Sequence, residues 1–269
     1  MASVYTDKSE YAVSSWTYET CELQKALKDI AEHGFNTVEL WADTVHFDPR
    51  AGLDRKQVKQ WLRDYNLKVH SSHSPFRNFK GFTHDENFRQ YRMKLLKNCI
   101  NDCADFSIPI LVVHGLDRNE YNYTCEKIQI MKDDLAELCN YGRKQGVMIA
   151  LENMVNSSEP GEVRCRLEDH VQNFSGFGLK YCLDIGHAVL NGADLFREID
   201  VAGEDLVTFH IHNNDGHRDS HALPDDGVID WPTLHEYIRG KGYNGQFVLE
   251  IYGGLDAYSV MKKINSLFS

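Results

Sequence analysis

Short apolar segments alternate with amphipathic ones along the whole chain, and no other feature restricts the fold as much. Residues 11–16, 36–40, 67–71, 110–114, 147–152, 179–184, 206–212 and 246–251 read as strands, each short, apolar and rich in β-branched or aromatic side chains. Between them lie stretches with helical spacing. Thr20 is expected to cap a helix carrying Leu23, Leu27, Ile30 and Ala31 that ends at Gly34, and Asp54 to open one carrying Val58, Trp61 and Leu62. Further helices are expected over about 85–106, 123–145 (stopping at Gly146), 162–174, 188–199, 231–239 and 257–267. Strict strand–helix alternation implies parallel pairing, and eight units in 269 residues match a (β/α)8 TIM barrel. A doubly wound sheet is the alternative, but no glycine-rich phosphate loop follows the first strand. No linker or composition shift divides the chain, so a single domain over 1–269 is expected.

Charge narrows the partners. Lysine and arginine total 29 against 40 aspartates and glutamates, a net charge of −11, which disfavours a polyanion such as DNA because phosphate contacts supply most non-specific affinity. The first ten residues are polar with no apolar signal core, and no apolar run reaches the length of a membrane span, so a cytoplasmic protein without a membrane partner is expected. The seven cysteines are odd in number and form no C-x-x-C pair, which suggests neither a disulfide framework nor a thiolate zinc site.

Metal-capable residues recur at the carboxyl ends of these strands: Glu39, His73, His114, Glu152, Asp184, His212 and Glu250, separated by 34, 41, 38, 32, 28 and 38 residues. In a barrel, successive strand ends circle one rim, where barrel active sites lie. Glu152, Asp184, His212 and Glu250 each close an apolar strand, where an unpaired carboxylate is costly to bury. A divalent cation removes that cost, and three carboxylates with one imidazole suit Mn²⁺, Mg²⁺, Co²⁺ or Zn²⁺. His187 and the pair Asp219 and His221 add a second layer which, with His73 and His114, makes nine potential ligands, enough for one to three ions.

Other residues have two readings. Trp16, Trp41 and Phe76 either stack on a sugar ring or pack the rim. Glu39 is placed among the substrate-facing residues, with a cap or ion-pair role as the plain alternative. His70 and His210 read as packing or supporting groups. Residues 213–230 are too many for a minimal connection and are expected to fold over the mouth, with His217, Arg218 and Asp226 in solvent. Arg77 and Lys80 form a small basic spot compatible with one phosphate.

Val38-Glu-Leu40, Ser72-His-Ser-Pro75, Leu151-Glu-Asn153, Cys182-Leu-Asp-Ile-Gly-His187, His210-Ile-His212, Asp219-Ser-His221, Gly227 through Trp231 and Val248-Leu-Glu250 together resemble the xylose isomerase-like barrel superfamily. That superfamily joins sugar isomerases and epimerases with apurinic endonucleases. Likeness to the ketose epimerase branch implies one metal on Glu152, Asp184, His212 and Glu250, the two glutamates working as acid and base on the substrate carbon, His187 on a substrate oxygen, and a small carbohydrate substrate. Likeness to the endonuclease branch implies three zinc ions, the first on His73, His114 and Glu152, the second on the same four central residues, the third on His187, Asp219 and His221. Each branch has a departure: epimerases commonly carry an arginine where this chain has Asp219-Ser-His221, and the endonucleases need basic rim loops. A metal-dependent isomerase or epimerase is the leading expectation, a multinuclear zinc phosphoesterase the alternative.

Overall fold

The computed structural model describes residues 5–43, 46–77, 85–115, 125–155 and 165–268. Its strands are β1 (Tyr11–Ser14), β2 (Thr37–Trp41), β3 (Lys68–His73), β4 (Ile110–His114), β5 (Met148–Glu152), β6 (Lys180–Asp184), β7 (Leu206–Ile211) and β8 (Phe247–Leu249). Each pairs in parallel with the next, and β8 returns to β1, closing the barrel. The helices are α1 (Leu23–Glu32), α2 (Arg55–Asp64), α3 (Glu86–Asp105), α4 (Cys125–Gln145), α5 (Leu167–Phe174), α6 (Ile185–Leu190), α7 (Leu195–Ala202), α8 (Trp231–Gly240) and α9 (Ala257–Ser266). Among the described residues, no helix is long and apolar enough to cross a membrane.

Local chemistry accounts for the element ends. α1 buries Leu23, Ala26, Leu27 and Ile30, the i, i+3, i+4, i+7 stripe that a barrel helix turns to its sheet. Asp54 and Asp85 cap α2 and α3, each accepting two backbone N–H groups of the first turn. Thr20 does not cap α1: Glu22 holds that place without a side-chain bond, and the Thr20 hydroxyl donates instead to Gly254 O at 3.4 Å. The helix expected over 188–199 is two helices, because Gly192 turns the chain at φ 61° and Asp194 caps α7 anew. β1 stops at Ser14, where a 3₁₀ turn over Ser15–Tyr18 begins, and β3 runs on to His73. The expected helix starts at 123 and 162 lie outside the described residues.

Two cores result. The larger lies between sheet and helices, with Leu27, Val58, Ile100, Leu135, Phe174 and Trp231 among its buried members. The smaller lies inside the barrel, where Ile110, Val112, Ala150 and Cys182 form one apolar cluster. Beside it the interior is polar. His70 Nε2 meets Thr208 Oγ1 at 3.0 Å across the barrel, which supports the packing role expected of His70.

Buried imidazoles leave a pH signature. His46 is wholly buried; Ser15 Oγ, which accepts from Trp41 N at 2.8 Å, lies 3.1 Å from His46 Nδ1, and His46 Nε2 lies 3.0 Å from the Cys21 carbonyl. That pattern suits a neutral ring that donates from Nε2, and burial lowers its pKa to about 4. The unfolded chain therefore binds a proton more readily than the folded one between about pH 6.5 and 4. The stabilisation is complete above the unfolded value and is lost as pH falls through that window. Urea unfolding should show wild type losing stability from pH 7 to 4.5. His46→Gln, whose amide can make both bonds without titrating, should lose less by about 2 kcal/mol.

Candidate metal centre

Parallel register carries the strand-end groups to one lip. His114 pairs with Glu152, and Asp184 with His210, in adjacent strands, while His212 and Glu250 follow the last residues of β7 and β8. His73 Nε2 lies 3.1 Å and His114 Nε2 3.3 Å from the same Glu152 oxygen. His212 Nε2 is 2.9 Å from Asp184 Oδ1. His187 Nε2 is 3.2 Å from Asp219 Oδ2, and His221 Nε2 3.4 Å from Asp219 Oδ1. Side chains far apart in sequence thus form, among the described residues, five overlapping groups whose donor atoms lie within 4.8 Å of one another: His73, His114 and Glu152; Glu152, Asp184, His210 and Glu250; His187, His212, Asp219 and His221; and, sharing members with these, His73, His210 and Glu250, and Glu152, Cys182 and His210. His210, set aside in the sequence reading as a supporting group, belongs to the central group, and His212 to the one beside it. The signal that could have found His210 is the period of two in His210-Ile-His212, which turns both rings to the same face of β7.

Three rings are held in one sense. Nδ1 of His73 donates to Ser74 O at 2.8 Å, Nδ1 of His187 to Asn153 O at 3.0 Å, and Nδ1 of His221 to Glu250 O at 2.8 Å. A carbonyl on Nδ1 fixes the tautomer and turns Nε2 toward the cluster, as imidazole ligands of metals are held. His212 Nδ1 is buried without a hydrogen-bond partner.

Charge balance dominates the site. Burial opposes ionisation of Glu152, yet the His210 and His114 imidazoles beside it outweigh that and hold its carboxyl well below the usual range. Asp184 is likewise lowered, burial being overcome by His187 and His212. His187 moves the other way, to about 10, because Asp184, Asp219 and Glu152 more than offset its desolvation. Burial and the neighbouring His212 lower His221. Imidazolium protons and divalent cations are interchangeable solutions to the same excess of buried carboxylate.

The substrate-facing expectations divide. Trp16 and Phe76 flank the cluster: Trp16 lies 4.8 Å from the His221 ring, and Phe76 stacks on His114 at 5.2 Å. Trp41 is wholly buried against His46 and Phe76, a packing role. Glu39 needs correction, because β2 runs two residues beyond it and leaves its carboxylate a layer below the lip, fully buried on Ser14, Ser71 and His210. Arg77 is ion-paired with Glu19, its amide donates to Asp43, and Lys80 lies outside the described residues, so the basic spot loses its support. His217, Arg218 and Asp226 are exposed as expected.

Three asparagines and a glycine, none of them singled out for this task by the sequence, hold the frame. Asn153 staples β5 to β6 by donating to Asp184 O and accepting from Asp184 N, both at 2.8 Å. Asn213 gathers the loop after β7 through Pro224 O, Ile229 O and Ile229 N, and Asn214 donates to Gly186 O at 3.0 Å. Gly186 is a close constraint: a Cβ there would lie 2.0 Å from His212 Cε1, and that ring is stacked on His221 at 3.8 Å. Gly186→Ala should therefore displace His212 and destabilise the protein by about 1–3 kcal/mol in denaturant titration, whereas Gly240→Ala, where a Cβ meets nothing, should be near neutral.

The chain has relatives. A protein named Fructoselysine 3-epimerase from Shigella flexneri is 21% identical over 243 residues, 87% of each chain. "Probable endonuclease 4" of Mycoplasma capricolum is 30% identical over 178 residues, 60% of this chain and 59% of that one. A solved D-tagatose 3-epimerase-like protein matches with TM-score 0.79 at 22% identity, covering 96% of this chain and 98% of its own. Residues 27–263 match the model of the xylose isomerase-like TIM barrel, and with that span inside a closed eight-stranded parallel barrel the chain belongs to this family.

Proposed function

We propose that this protein is a divalent-metal-dependent isomerase or epimerase that moves a proton at a carbon next to a carbonyl, through an enediolate, on a small sugar, sugar phosphate or cyclic polyol. The observation that carries the reading is the central group, in which Glu152 and Glu250 come from β5 and from the end of β8 to within 4.8 Å of each other and of Asp184. Glu152, Asp184 and Glu250 of that group would hold the ion together with His212, which stands in the adjoining group but brings Nε2 to 2.9 Å from Asp184 Oδ1, with His73, His114, His187, Asp219 and His221 available to one or two more. Mn²⁺, Mg²⁺, Co²⁺ and Zn²⁺ all suit this oxygen and nitrogen set. The donor chemistry fits, since His73, His187 and His221 are already turned with Nε2 inward by carbonyls on Nδ1. When bound, such an ion supplies Lewis-acid polarisation of the oxygens next to it.

The chain's own groups do the rest. Glu152 and Glu250 serve as base and acid, one removing the proton from the substrate carbon and the other returning one. His187, pinned by Asn153 O, presents Nε2 to a substrate oxygen, and Trp16 and Phe76 offer ring faces to the sugar. Similarity to a protein named as a fructoselysine epimerase supports a carbohydrate substrate.

A second reading, a multinuclear zinc phosphoesterase, is favoured by the adjoining donor groups, which offer more ligands than one ion takes, and by similarity to a protein named as an endonuclease. The net charge of −11 speaks against duplex DNA as its substrate and leaves a small phosphodiester as the better candidate.

Two measurements decide. Elemental analysis of protein purified without chelator should find about one Mn²⁺, Mg²⁺ or Co²⁺ per chain, whereas two or three Zn²⁺ would favour hydrolysis. With a panel of ketohexoses in D₂O, solvent deuterium should enter the carbon beside the carbonyl. Glu152→Gln and Glu250→Gln should each reduce that exchange by about 100-fold or more. Turnover of a ketose without deuterium uptake would count against the enediolate.

A further inference from the structure

Beneath the lip, a second set of side chains is sealed inside the barrel. Glu39 and His210 are both wholly buried. Glu39 Oε1 accepts from Ser14 Oγ at 3.2 Å and Oε2 from Ser71 Oγ at 2.8 Å, while His210 Nε2 stands 3.2 Å from Oε2. The other ring nitrogen, Nδ1, lies at ion-pair distance from two carboxylates, 3.2 Å from Glu152 Oε1 and 3.2 Å from Glu250 Oε2, without hydrogen-bond geometry to either. One planar ring therefore bridges a carboxylate of β2 below and, above, the two carboxylates read as base and acid.

Three considerations give this arrangement a purpose. A carboxylate with no exposed surface costs several kcal/mol unless its partners return that energy, and apolar residues fill such a place at no comparable cost. The spacing is also specific, since the ring is equidistant from two oxygens on strands that are not neighbours in the barrel. Finally, turning the ring over would exchange its nitrogens for carbons and break the contacts with Glu39, Glu152 and Glu250 together, so Glu39 fixes the orientation. Ser14 and Ser71, from β1 and β3 on either side of β2, fix Glu39 in turn.

We propose that Glu39 is a positioning residue that, acting through His210, sets the separation of Glu152 and Glu250 and thereby the affinity of the centre for a divalent cation. The inference rests on the metal-centre reading. Outer partners that orient ligating carboxylates and imidazoles typically govern metal affinity by about 10–100-fold.

The probe is Mn²⁺ alone, titrated into the full chain and followed by the electron paramagnetic resonance signal of the free ion, which requires no substrate. Glu39→Gln keeps the shape and the serine contacts but removes the charge that holds the ring; Mn²⁺ affinity should fall about 10-fold or more. Ser14→Ala, which deletes one outer contact and leaves the buried charge pair intact, should weaken binding by a smaller factor and serves if Glu39→Gln does not fold. Gln60→Ala, at a surface site on α2, should bind as wild type. A purely structural Glu39 would change the melting temperature of the ion-free protein and leave Mn²⁺ affinity untouched. Wild-type affinity in folded Glu39→Gln, or in Ser14→Ala if that variant alone folds, would overturn the positioning role while leaving the centre standing. A wild-type protein that takes up no Mn²⁺ would overturn both.

Discussion

Buried carboxylate charge is the constraint around which the upper half of the barrel is organised. Glu39, Glu152, Asp184, Asp219 and Glu250 converge from β2, β5, β6, the loop after β7 and the end of β8, and all but Asp219 are buried. Each such charge costs several kcal/mol to desolvate. The chain answers with imidazoles set between them: His73 and His114 on Glu152, His210 among Glu39, Glu152 and Glu250, His212 and His187 on Asp184, His187 and His221 on Asp219. Histidine suits the task because it can neutralise a carboxylate as a cation or, once neutral, share a metal with it. A lysine at the same place would offer only the first.

The frame serves that arrangement more than it serves burial of apolar area. Inside the barrel the apolar cluster is small, and the interior positions that branched aliphatic side chains ordinarily fill are partly given to Ser14, Glu39, Ser71, His70, Thr208 and His210. Stability is carried instead by the layer between sheet and helices, whose buried members come from nearly every described helix. Separating the two tasks lets the interior keep a polar column without weakening the shell. The loops obey the same logic: Asn153 and Asn213 replace missing sheet partners with side-chain bonds, and His221 adopts φ 43°, a conformation uncommon outside glycine, while its Nδ1 reaches Glu250 O and its carbonyl accepts from Tyr252 N.

Much of this was legible in the sequence because a parallel barrel converts chain position into place on a circle. Alternating segments of about 30 residues announce the fold, and polar residues that close apolar segments announce the lip. Depth inside the barrel is harder to read. Strand ends are uncertain by a residue or two, and a shift of two residues moves a side chain by one layer. Glu39 reads as a lip residue for that reason, but β2 continues to Trp41, and the irregular register at Val38 and Glu39 adds to the displacement. His210, two residues inside a more prominent histidine, reads from the sequence as a packing or supporting group, and its place between Glu39 and the two lip glutamates is a matter of depth that the spacing does not encode. Gly186 and Asn153 were invisible as constraints because their importance is a matter of contact distance, which composition and periodicity do not encode.

Proteins similar to this chain are named for two kinds of chemistry, sugar epimerisation and endonucleolytic cleavage, and the features that would separate the two lie at the margins of the lip. A central set of three carboxylates with histidine is common ground for proton transfer beside a carbonyl and for hydrolysis of a phosphodiester, because both need negative oxygens stabilised and both use a carboxylate to move a proton. What separates them is the field a substrate meets on approach. Among the described residues near this mouth, Arg77 is bound to Glu19 and Arg50 to Asp43 and Asp48, so their guanidinium charge is already matched by carboxylates, while Arg218 on the loop after β7 stands in solvent. Aromatic rings stand close by, Trp16 against His221 on one side and Phe76 against His114 on the other. Ring faces paired with inward polar groups suit the alternating C–H and hydroxyl surface of a sugar, and they offer little to a chain of phosphates.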